Sequence, residues 1–78
     1  MSYSQLKAFH AVAQSGGFSK AAVQMSLTQP ALSDHVRKLE EAHGVQLFLR
    51  NARGVALTDT GRKLYTITER LLGGAAGG

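Results

Sequence analysis

The sequence predicts a mainly α domain: three short amphipathic helices in a core, a two-stranded hairpin, and the start of a fourth helix. Three observations predict it. Apolar residues recur at helical spacing in separate runs, each run is bounded by capping or breaking residues, and two short apolar segments flank an Asn- and Gly-containing turn. Seventy-eight residues with 44% hydrophobic content suffice for one core and leave no room for a second.

In the first helix, Leu6, Phe9, His10 and Ala13 fall at i, i+3, i+4 and i+7, with Ser4 as its expected cap and Ser15-Gly16-Gly17 as its stop. Phe18 precedes Ser19, the expected cap of a second helix of barely two turns, Lys20 to Met25. Its small Ala21 and Ala22 permit close approach of a neighbouring helix. Ser26-Leu27-Thr28 is a tight connection in which Leu27 turns into the core and Thr28 caps the third helix. Pro30 lies in that helix's first turn, where its missing N–H costs nothing.

The third helix sends Leu32, Val36 and Leu39 inward and leaves Gln29, Ser33, Asp34, Arg37 and Lys38 outward or flanking, ending near His43-Gly44. Leu47-Phe48-Leu49-Arg50 and Val55-Ala56-Leu57 read as strands joined by Asn51-Ala52-Arg53-Gly54, with Arg53 at the tip. Thr58 caps the fourth helix, Asp59 complements the positive end of its dipole, and Leu64, Ile67 and Leu71 form a stripe suited to packing or to pairing two chains. The expected division is 1–58 for the core and hairpin, 59–72 for a truncated linker and dimerisation helix, and 73–78 for a flexible Gly- and Ala-only tail.

Composition narrows the function. Without cysteine there is no disulfide framework and no thiolate metal site. No apolar run approaches the ~18 residues of a membrane span, and Met1-Ser2-Tyr3-Ser4 lacks the layout of a secretory signal, so a soluble cytoplasmic protein is expected. His10, His35 and His43 are scattered, and neither an H-E-x-x-H pair nor a phosphate-cradling G-x-x-x-x-G-K loop is present. No catalytic residue, metal or cofactor is therefore assigned, and no small-molecule effector site is expected in this chain. Nine Lys and Arg against five Asp and Glu give a net charge of +4, which favours a polyanionic partner. The excess leans toward the turn at Arg53, since residues 46–63 hold Arg50, Arg53, Arg62 and Lys63 against Asp59 alone.

Two helices joined by about three residues, the second opening on exposed hydrogen-bonding side chains, form a helix-turn-helix, in which the second helix enters the ~12 Å major groove of DNA. With the hairpin as a wing, the fold class is a winged helix-turn-helix. Gln29 is placed to contact adenine N6 and N7 together, and Pro30 either packs on a thymine methyl or only starts the helix. Thr28 and Ser33 carry hydroxyls suited to phosphate, although Thr28 is required as a cap in either case. Arg37 and Lys38 either neutralise phosphates or pair with Asp34 or Glu41 on a solvated face. Asp34 accepts from cytosine N4 or takes part in those same pairs. Arg53 suits the narrow minor groove, and Arg50 is open between DNA and an ion pair with Glu40 or Glu41 that fastens the wing.

Residues 3–72 resemble the N-terminal DNA-binding domain of LysR-type transcriptional regulators. The likeness rests on Leu6-Lys7-Ala8-Phe9, Ser15-Gly16-Gly17-Phe18-Ser19-Lys20-Ala21-Ala22, Leu27-Thr28-Gln29-Pro30-Ala31-Leu32-Ser33, Leu39-Glu40-Glu41, Leu47-Phe48 followed by Arg50, and Leu57-Thr58 with Gly61. The resemblance implies a base contact at Gln29, a basic wing residue at Arg53, homodimerisation through the linker helix, and a ligand-sensing domain that this chain does not include. Asp34 departs from the pattern, which usually has Arg at this position. The competing reading is a winged helix used only for protein–protein contact, which a steep salt dependence of duplex binding would exclude.

Overall fold

The computed structural model describes residues 2–73. The described chain comprises four helices, α1 (Tyr3–Ser15), α2 (Phe18–Met25), α3 (Gln29–His43) and α4 (Asp59–Thr68), with a largely exposed hairpin of β1 (Phe48–Asn51) and β2 (Gly54–Leu57) between α3 and α4, and a π-helical turn, Glu69–Gly73, after α4. The expected tail lies outside the described residues, apart from Gly73.

Helix α1 begins two residues earlier than the expected cap at Ser4 allows. Ser2, in extended conformation, accepts the Gln5 N–H at 3.1 Å, so Ser2 and not Ser4 is the cap, and Ser4 lies inside the helix. The buried face is shifted from the expected one: Phe9 and His10 are buried, but Ala8 and Val12 are fully enclosed where Leu6 and Ala13, the other expected positions, are only half-buried. Helix α2 likewise starts before Lys20. Extended Gly17 is its cap residue and offers no side chain, which leaves Ser19 in the first turn with its hydroxyl available for another role.

The connection between α2 and α3 lacks glycine, and Ser26 takes the left-handed position itself at φ 57°. That conformation costs an L residue roughly 1–2 kcal/mol. It is held by a closed pair of bonds, Ser26 N–H to Val23 O at 3.1 Å and Leu27 N–H to Ala22 O at 2.9 Å. Leu27 then packs half-buried against the core, and Thr28 caps α3 by accepting the Ala31 N–H at 3.2 Å. Pro30 occupies the first turn and Gly44 ends the helix in the left-handed region, as expected.

The core joins Phe9 and Val12 of α1, Ala21 and Ala22 of α2, and Leu32, Val36 and Leu39 of α3 to Leu47 and Phe48. Burying each of the large members stabilises the fold by ~1.5–3 kcal/mol. The Phe48 ring lies 5.3 Å from that of Phe9 and meets Phe18 edge-on at 5.9 Å, so the root of the hairpin is seated on one phenylalanine from each of the first two helices.

Pairing in the hairpin is antiparallel from Phe48↔Leu57 to Asn51↔Gly54, so the expected four-residue turn tightens to Ala52 and Arg53. Asn51 Oδ1 accepts the Arg53 N–H at 2.9 Å and supports the tip. The strand starts one residue later than the apolar run because Leu47 is used otherwise. Glu40 Oε2 accepts from Leu47 N at 2.7 Å and Phe48 N at 3.3 Å, while Leu47 O accepts the Thr58 N–H at 3.0 Å. Thr58 also donates its hydroxyl to Gln46 O at 2.6 Å and caps α4 by accepting Gly61 N–H at 2.9 Å. Gly61 itself lies against Leu47 O so closely that a Cβ there would collide with the carbonyl.

Candidate nucleic-acid interface

The leading turn of α3, the first turn of α2 and the wing line one open cleft: Ser19, Lys20, Gln29, Arg50, Asn51 and Arg53 all contribute. Thr28, Gln29 and Pro30 are exposed at its edge, and Ser33 is half-buried one turn further on. The Gln29 amide reaches back across the turn and donates from Nε2 to Ser19 Oγ at 3.1 Å.

Further along α3 the charges close on one another. Asp34 pairs with Arg37, and Lys38 Nζ lies 3.1 Å from the other carboxylate oxygen of Asp34. Arg37 also donates to Glu41 Oε2 at 3.0 Å. The Lys38 ammonium, followed by the Arg37 guanidinium, holds the Asp34 carboxyl below its ordinary value. The charges of Asp34, Arg37, Lys38 and Glu41 thus sum to zero, and Glu40 adds one negative charge to the same stretch. Arg37 and Lys38 remain more than half exposed, so the network is a surface one.

The positive field therefore comes from elsewhere. Among the described residues, Lys20, Arg50 and Arg53 form no ion pair, and all three line the cleft. Arg50 does not pair with Glu40 or Glu41, because Glu40 is engaged by backbone N–H groups and Glu41 by Arg37. Its guanidinium instead stacks over the Phe18 ring, 4.2 Å from the centroid, a contact that leaves its charge directed into the cleft. Ser19 and Lys20 were absent from the sequence-based site. The signal available for them was a small polar residue and a cation in the first turn of the helix preceding α3.

The expected helix over 59–72 ends as an α-helix at Thr68 and continues as the π-helical turn that holds Leu71, and its apolar stripe separates into two groups. Leu64 is half-buried and packs toward Leu39, Val45 and Leu47. Ile67 and Leu71 are 53% and 65% exposed. Where α4 crosses α1 the contact is polar: His10 Nδ1 bonds Thr68 Oγ1 at 2.9 Å and the imidazole stacks on Tyr65. His10 Nε2 lies 3.8 Å from Glu69 Oε2, and both atoms are buried without a hydrogen-bond partner among the described residues. Burial, then the nearby Glu69 carboxylate, raises the Tyr65 phenol and keeps it neutral. No group of three or more metal-ligating side chains occurs among the described residues, and no helix there is long and apolar enough to cross a membrane.

Comparison with known proteins settles the family. A family model described as bacterial regulatory helix-turn-helix protein, lysR family, matches residues 3–62. The chain belongs to the lysR family. Among its relatives, the HTH-type transcriptional regulator XapR of Escherichia coli is 43% identical over 67 residues, covering 86% of this chain and 23% of that protein. TfdT of Cupriavidus pinatubonensis, another HTH-type transcriptional regulator, is 44% identical over 72 residues, covering 92% of this chain and 32% of that protein. The chain thus spans less than a third of the length of these lysR-family relatives. Among solved structures, the BenM DNA-binding domain in complex with catB site 1 DNA superposes with a TM-score of 0.89 at 36% identity, covering 97% of this chain and 85% of that one. The CbnR DNA-binding domain in complex with DNA gives 0.86 at 36% identity, covering 97% and 87%. The winged helix-turn-helix architecture is therefore shared with lysR-family DNA-binding domains at close to full length.

Proposed function

We propose that this chain is the DNA-binding domain of a transcriptional regulator, with α3 in the major groove of double-stranded DNA and the β1–β2 wing in the adjacent minor groove. The observation that carries the reading is the cleft itself. It sets the uncharged leading turn of α3 beside three cations that no carboxylate neutralises among the described residues. The likeness to two DNA-binding domains solved on DNA supports it.

Roles follow from position. Gln29 reads adenine through its amide, Pro30 faces the neighbouring thymine methyl, and Thr28 and Ser33 contact phosphate. Arg53 enters the minor groove, where the negative potential is focused. Arg37, Lys38 and Asp34 act as a neutral cluster that reaches phosphate only when its pairs open. Two copies pair through the exposed Ile67 and Leu71, which sets the spacing of the two half-sites.

Titration of duplex oligonucleotides at ~50 and ~200 mM salt tests the reading. With three or more phosphates neutralised, affinity should fall by well over tenfold across that interval. Arg53→Ala should weaken binding and flatten the salt dependence. A titration that stays flat at low salt would reject DNA binding and leave the winged helix as a protein-contact module.

A further inference from the structure

We infer that Ser19, on the helix preceding the recognition helix, is a specificity-determining residue: its hydroxyl presets the Gln29 amide for adenine. The inference rests on the Gln29 readout above and goes beyond it, since Ser19 need not touch a base.

The geometry is a bond between two helices. Gln29 Nε2 donates to Ser19 Oγ at 3.1 Å, ten residues back, from the first turn of α3 to the first turn of α2. The other polar candidates of α3 behave differently. Asp34, Arg37 and Lys38 bond only within their own helix, and Thr28 serves its cap. Among the described residues, Gln29 is thus the one readout candidate on α3 whose side chain is anchored to a second element of the fold.

The chemistry of the primary amide gives the anchor its meaning. Gln29 carries one acceptor, Oε1, and two N–H hydrogens. Ser19 takes one hydrogen, and what remains is one donor beside one acceptor. Adenine asks for that pair, a donor to N7 and an acceptor for N6–H, whereas guanine presents only acceptors on the same edge. Because Ser19 accepts from Nε2, the amide nitrogen faces α2; the reverse arrangement would need the hydroxyl to donate to Oε1 and would turn both N–H hydrogens of Gln29 away from Ser19. Ser19 also restricts the torsions of a long, exposed side chain before DNA arrives, and so reduces what must be ordered on binding.

The local structure makes Ser19 available. Gly17, not Ser19, is the cap residue of α2, so no N–H of its own helix occupies the Ser19 oxygen. Ser19 is exposed and lines the same cleft as Gln29 and Arg53, so its loss leaves the core untouched.

The test compares the native chain, Ser19→Ala, Ser19→Thr and Gln29→Ala against one pool of duplexes with randomised centres, bound at fixed salt and sequenced. Gln29→Ala should erase the base preference at one position of each half-site. Ser19→Ala should reduce the preference for adenine at that same position by about two- to tenfold, the range spanned by one neutral hydrogen bond. Thermal stability should stay unchanged in Ser19→Ala, and Ser19→Thr, which keeps the hydroxyl, should retain the adenine preference. A Ser19→Ala profile equal to the native one, where Gln29→Ala erases the position, would overturn the inference and leave the Gln29 readout standing. A uniform loss across all positions would also overturn it, as the mark of a plain phosphate contact. A native profile from Gln29→Ala would remove the readout and this inference together.

Discussion

The two halves of α3 solve the problem of facing a polyanion in opposite ways. The leading turn, Thr28 to Ser33, carries no formal charge and spends its hydrogen bonds on orientation: Thr28 on the helix end, Gln29 on Ser19. The middle, Asp34 to Glu41, carries full charges and pairs Arg37 and Lys38 with Asp34 and Glu41, which leaves Glu40 as the one negative charge in excess. The difference teaches that exposed hydrogen-bonding groups and unpaired cations are placed on separate elements. The first lie at the N-terminus of α3, and the second, among the described residues, across the cleft: Lys20 and Arg50 on α2 and β1 and Arg53 at the wing tip.

Four experiments sharpen or break this division. The largest effect is expected from Gln29→Ala, which should reduce discrimination between matched and mismatched duplexes by ~1–3 kcal/mol with little change in non-specific binding. A change confined to non-specific binding would place attraction, not selectivity, in the leading turn. Next comes Asp34→Asn, which releases Arg37 and Lys38. If both reach phosphate, the loss of affinity between ~50 and ~200 mM salt deepens by about tenfold. An unaltered salt slope would show that the middle of the helix stays clear of DNA.

Thr28→Ala should lower unfolding stability by ~1 kcal/mol in a denaturant titration, through loss of the cap, while the salt slope of binding stays fixed. The smallest effect concerns acid. Asp34 is held below its ordinary carboxyl value, so its pairs contribute stability that is present above about pH 4 and lost as pH falls through the lower folded value. The stability difference between the native chain and Asp34→Asn should accordingly narrow from pH ~5 toward pH ~2. A difference that stays constant would mean the pairs do not form in solution.

Much of this was legible in the chain because helix faces and caps are local. Leu32, Val36 and Leu39 repeat at a spacing only a helix satisfies, and Thr28, Pro30 and Gly44 mark its ends by backbone chemistry. Where two residues qualified for one role, local chemistry could not choose. Ser2 and Ser4 are equivalent as caps by type, and starting at either preserves the same buried stripe. Ser26 was hidden for a different reason: the left-handed position normally announces itself as glycine, and here tertiary packing of Leu27 holds a serine in it.

The site was legible in part for the same cause. Gln29 and Arg53 could be placed because a helix start and a turn tip are exposed by construction of those motifs. Ser19, Lys20 and the stacking of Arg50 on Phe18 depend on how α2 and the wing approach each other, which no periodicity encodes. The His10–Thr68 bond joins residues 58 apart in the chain, and a histidine in an apolar stripe gave no sign of its partner.

The tight seating of Gly61 on Leu47 O has a mechanical outcome. Leu47 roots the wing, and Thr58, three residues before Gly61, is bonded to Leu47 and Gln46 alike. With no slack for even a methyl group, the hairpin and α4 meet at a welded joint instead of a hinge. Whatever sets the heading of α4 therefore also sets the heading of the strand that carries Arg50 and leads to the Arg53 tip.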